Sequence, residues 1–114
     1  MKIEKILAGV DFGPATDSII AYAASFASAA NASVHLLHVL DYVVTPPAYL
    51  APYIDEEKRI AESNFAVLKK ELQEAGITTC TETVIGRLHE SFAALLKKAH
   101  ADMLILGFMT QALI

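Results

Sequence analysis

Val34-His35-Leu36-Leu37-His38-Val39-Leu40 is a seven-residue run with apolar side chains at both its odd and its even positions. A strand with one wet face would alternate apolar and polar residues. An apolar run on both faces is what a parallel strand needs when helices cover it on both sides. The run therefore predicts an α/β domain, and its flanks repeat that theme. Upstream, residues 16–30 carry Ile19, Ile20, Ala23, Phe26, Ala27 and Ala30 at helical spacing, one apolar stripe on one helix. The many alanines imply close packing on a sheet, and Asn31-Ala32 ends the helix. Before it, Lys5-Ile6-Leu7-Ala8-Gly9-Val10 reads as a buried strand stopped by Asp11-Phe12-Gly13-Pro14.

Downstream, residues 41–52 hold three prolines and no helical pattern, which predicts a loop. Tyr42, Tyr49 and Tyr53 flank or occupy it, where a tyrosine could stack on a base but is better suited to anchoring a subunit interface. A long helix follows over about 54–75, with Ala61, Phe65, Leu68, Leu72 and Ala75 at spacings of four and three and Gly76 placed to end it. Residues 77–85 form a third strand, wetter through Thr78, Thr79, Thr81 and Thr83, as expected near a sheet edge. Gly86-Arg87-Leu88 turns into a third helix with Phe92, Leu95, Leu96 and Ala99 as its buried stripe. Ala101-Asp102 leads to a fourth strand, Met103-Leu104-Ile105-Leu106, closed by Gly107. Strands alternating with helices in the order β-α-β-α-β-α-β predict a parallel sheet with right-handed crossovers.

Composition limits the function. With 114 residues, 54% hydrophobic residues and mean hydropathy +0.42, the chain is expected to form one packed domain. No apolar run reaches the roughly 20 residues of a membrane helix, and the N-terminus lacks a signal peptide's apolar stretch. A lone Cys80 points to the reducing cytoplasm, and is read as a small buried apolar residue. The net charge of −4 disfavours nucleic acid as a partner. His35 and His38 are three apart on a strand and so face opposite ways. With His89 and His100 scattered, no metal site is expected. His89, near the start of the third helix, could face the crevice at the strand ends, but a capping or solvent-facing role suits it better.

Four pieces together carry a resemblance. The strand ending Gly9-Val10-Asp11, the Leu36-Leu37-His38-Val39 strand, the Gly86-x-x-His89 turn and the run Ala101-Asp102-Met103-Leu104-Ile105-Leu106-Gly107 resemble the universal stress protein family. They occur in the family's order and span essentially the whole chain. The resemblance implies a three-layer, doubly wound parallel sheet of the adenine nucleotide alpha hydrolase-like type, with strand order 3-2-1-4-5. This chain would hold 3-2-1-4, its fifth strand missing, as a single domain over 1–114 incomplete at the C-terminus.

The resemblance also implies a homodimer and, in one branch, ATP or another adenine nucleotide as ligand. In that branch Asp11 would contact the adenine and ribose side, Val39 would line the adenine pocket, and Gly107 would open the phosphate-binding glycine motif. Thr110 stands where the second glycine belongs, and the third would fall beyond Ile114. Leu88 replaces the family's usual proline. Asp11 has a plain alternative role, accepting backbone N–H groups in an Asx turn or cap. Two functional readings remain open: a non-enzymatic stress-response dimer with weak or no ATP binding, and an ATP-binding regulatory module using the crevice at the ends of strands 1 and 4. An enzyme of a related fold is the weakest reading, because residues 11–16 lack both a serine-glycine-rich loop and a His-x-x-His motif. An apolar edge at strand 4 predicts self-association through that strand and residues 108–114.

Overall fold

In the structure, a computed structural model, residues 2–41 and 47–107 are described. The apolar run lies in β2 (Ser33–Asp41), an interior strand of a four-stranded sheet that also contains β1 (Lys5–Gly9), β3 (Thr79–Gly86) and β4 (Met103–Ile105). All pairings are parallel and the order is β3-β2-β1-β4, so the expected topology is present. α1 (Thr16–Ala30), α2 (Ala51–Glu74) and α3 (Leu88–Lys98) are the crossovers.

The period of two along each central strand divides the apolar residues between two cores. Ile6, Ala8, Val34 and Leu36 join Ile19, Ala23 and Ala27 of α1 and Phe65, Leu68 and Leu72 of α2. Leu7, Leu37 and Val39 face the other way, against Phe92 and Leu95 of α3. Ala23 and Ala27 are fully or almost fully buried, so α1 lies close to the strands. Phe26 departs from expectation, being 45% exposed. It lies at the margin of the buried stripe, and a helix seated on alanines leaves no room beneath it for a ring there.

One boundary differs from the sequence reading. α2 starts at Ala51, inside the predicted loop, after a short 3-10 turn over Ala48–Leu50. Pro52 is compatible with this because the first helical turn has no use for the N–H it lacks. At its other end α2 closes as expected. Gly76 takes φ +82°, its N–H donates to the Gln73 carbonyl at 2.9 Å, and the Ile77 N–H donates to the Leu72 carbonyl at 3.0 Å. This is a Schellman closure, with Leu72 and Ile77 both buried in the same core. Cys80 also departs from its expected burial, since it is exposed on β3. β3 is an edge strand, and α3 covers only part of the sheet face on that side. Tyr42 and residues 108–114, including Thr110, lie outside the described residues.

Candidate functional site

β1 ends at Gly9, and the chain leaves the sheet through a tight turn. The Val10 N–H donates to the Leu37 carbonyl at 3.0 Å, which extends the strand pairing by one residue. Asp11 Oδ1 accepts the Gly13 N–H at 2.8 Å. Phe12 takes a left-handed backbone, φ 61°, and the Thr16 N–H donates to the Gly13 carbonyl at 3.1 Å as α1 begins. The Asx-turn role of Asp11 is therefore real. It occupies one carboxylate oxygen of an exposed side chain.

The strand order reverses between β1 and β4, since β1 leads to β2 on one side while β3 crosses over to β4 on the other. Splayed connections at such a point leave a crevice at the carboxyl ends of the strands. Here the crevice is a cavity of about 360 Å³, and Asp11, Val39 and Gly107 all line it. Asp11 and Val39 are far apart along the chain, and Gly107 is farther still. The parallel register places all three together.

Sequence reasoning misses most of the wall. Phe92 and Leu96 of α3, Leu104 and Leu106 at β4, and Ile19 of α1 supply an apolar lining to which His38 adds, while His89 lines the cavity as its place at the start of α3 allowed. Helical spacing marks Phe92, Leu96 and Ile19 only as core stripe, because periodicity does not distinguish a residue under a helix from one at the end of the sheet. His89 is exposed and lines the cavity. The N-terminus of α3 has no side-chain cap, so the capping role falls away. His38 is held in place: its Nδ1 lies 2.8 Å from the Val10 carbonyl oxygen, to which it donates. Phe12 sits against it, ring centroids 4.8 Å apart, and Phe65 sits against Phe12 at 5.0 Å.

Gly107 has a packing reason to be glycine. A Cβ there would come within 2.7 Å of Ile19 Cδ1 and 3.0 Å of Ala15 Cβ. Gly9, in the cavity wall, is equally constrained, since a Cβ would overlap the Phe92 ring and approach Leu106 Cδ2 to 2.6 Å.

Outside the cavity, His35 faces the α3 side of the sheet, opposite His38. Burial lowers its pKa below 6.5, against the pull of Glu82, whose Oε1 is 3.4 Å from Nε2. Although the residue is exposed, partial desolvation of the Cys80 thiol pushes it up from 9.0, which does not suit a nucleophile. Among the described residues, no three of His, Cys, Asp and Glu are grouped to hold a metal ion, and no helix is long and apolar enough to cross a membrane.

The universal stress protein family model matches residues 2–110. No curated protein matches the chain by sequence. Among solved structures, the fold is similar to a universal stress protein of Lactobacillus plantarum, at 19% identity and TM-score 0.85, covering 100% of this chain and 85% of that one. A universal stress protein family member from Burkholderia pseudomallei aligns at 14% identity and TM-score 0.81, covering 94% and 83%. A universal stress protein solved in complex with cAMP aligns at 16% identity and TM-score 0.67, covering 91% and 72%.

Proposed function

The chain belongs to the universal stress protein family, and on that premise we propose that it is a non-enzymatic stress-response module, a homodimer that binds ATP weakly or not at all. The observation that carries this reading is the make-up of the cavity. Asp11, Val39 and Gly107 are gathered there, but the surrounding wall is apolar and holds no nucleophile paired with a base among the described residues. Such a wall can bind and orient a ligand but offers little for chemistry on it. The cytoplasm is the proposed compartment, in keeping with a single cysteine.

A second reading has one specific support. The cavity lies where open α/β sheets bind ligands, and a relative of the same fold has been solved with cAMP. On this reading the chain is an adenine-nucleotide-binding regulatory module. The base would lie against Val39, and Asp11 would accept hydrogen bonds from the ribose through the oxygen that Gly13 leaves free. Isothermal titration with ATP and cAMP separates the two. Absent or weak ATP heats support the first reading, while tight, saturable ATP binding that Asp11→Ala weakens replaces it with the second.

A further inference from the structure

We infer that this cavity selects an uncharged nucleoside over the corresponding nucleoside triphosphate. The inference rests on reading the cavity as a small-molecule site and goes beyond it by assigning the ligand's charge class. At about 360 Å³ the volume lies near the lower end of small-molecule sites, about 300–1,000 Å³, enough for a base and one sugar.

The base and ribose suit the residues present. Val39, Phe92, Leu96 and Leu104 give apolar surfaces for a planar ring. Asp11 is exposed, and Gly13 takes only its Oδ1, so the carboxylate can accept from sugar hydroxyls. A polyphosphate does not suit them. Among the described lining residues there is no lysine or arginine, and Asp11 is the one acidic group. The histidines do not offset it, since His38 Nδ1 is already committed to the Val10 carbonyl and His89 is exposed to solvent. The start of α3 borders the cavity, but Glu90 in its first turn opposes the partial positive charge of the helix end.

Gly107 adds an independent argument. A phosphate cradle needs open space where a side chain would otherwise stand. At Gly107 that space is already filled by Ile19 and Ala15, so the missing Cβ lets α1 approach and leaves no seat for a phosphate oxygen. A triphosphate entering beside Asp11 would meet like charge with no lysine or arginine among the described lining residues to compensate it.

The test is isothermal titration of the whole chain with adenosine and, separately, with ATP and magnesium, for the wild type and Asp11→Asn. Asparagine can still accept the Gly13 N–H, so the turn should persist, and thermal melting checks that it does. The expected result is adenosine binding at least about tenfold tighter than ATP, with the gap narrowing in Asp11→Asn and at higher salt as the like-charge repulsion is removed or screened. ATP binding as tight as adenosine would overturn the charge selection and leave the small-molecule site standing. Neither compound binding would overturn both.

Discussion

The Asp102 carboxylate ties the start of β4 to the start of β1: Oδ2 accepts the Glu4 N–H at 2.9 Å and the Lys5 N–H at 3.1 Å. The Asp102 N–H in turn donates to the Lys5 carbonyl at 2.8 Å. These backbone donors hold the Asp102 pKa below its ordinary 3.8. Its folded pKa is the lower one, so this contribution to stability is present above 3.8 and disappears as pH falls through the folded value. Asp102→Asn should lower the melting temperature at neutral pH and flatten its decline in acid. Melting curves from neutral pH down to about pH 3 would test this, and an identical acid profile in the variant would refute it.

His35 acts at a higher pH with a different origin. Its Nε2 is buried and makes no well-formed hydrogen bond among the described residues. Burial pushes its pKa below 6.5, with Lys5 adding to the shift and Glu82 opposing it. The unfolded chain therefore takes up this proton first as the solution is acidified. Stability should fall below pH 6.5 until the folded value is passed, and be fully present above it. His35→Leu should lose that slope between about pH 7.5 and 5.5, as read by thermal melting.

Two glycines should fail for different reasons when changed to alanine. Gly76 has nothing within 4 Å of the place a methyl would take, and only its φ of +82° resists. Gly76→Ala should cost about 1 kcal/mol from backbone strain alone. Gly9→Ala instead drives a methyl into Phe92 and Leu106, an overpacking that should cost about 1–3 kcal/mol. It should also remove ligand binding, because both displaced side chains line the cavity. Chemical denaturation of both variants, with a titration of Gly9→Ala, measures these effects.

Leu72 is 1% exposed in the core beneath α2 and also takes part in the helix closure. Leu72→Ala should cost about 2–5 kcal/mol. Tyr53→Ala, at a side chain 70% exposed, should stay within about 0.5 kcal/mol if the chain is monomeric. A larger loss that grows with protein concentration would place Tyr53 in a subunit interface.

β4 pairs on one side with β1 and is an outer strand among the described residues. If copies associate there, hydrogen exchange at Met103–Ile105 should slow as concentration rises, in step with the dimer fraction from analytical ultracentrifugation. A dimer with no change at β4 would move the interface elsewhere.

The strands and their parallel arrangement were legible because burial on two faces is written residue by residue, whereas their order was implied by the resemblance to the family. Leu36 and Leu37 are neighbours in sequence and enter different cores, as apolar side chains at both odd and even positions required. Gly76 was legible as a helix end because few other residues take that backbone conformation at low cost. Phe26, Cys80 and the start of α2 were not. Their outcomes depend on how near α1 sits to the sheet, how far α3 reaches across it, and where the first turn of α2 finds its packing.

The chain by itself determined which residues alternate between two apolar layers, and with that the layered sheet, since period and burial are local properties of the sequence. The resemblance implied one site for Asp11, Val39 and Gly107, but only the tertiary structure decided that Phe92 and Leu104 share their cavity. It also decided that Gly107 is small for the sake of Ile19. Both depend on distances between segments far apart in the chain, and those distances are fixed by strand register and helix packing.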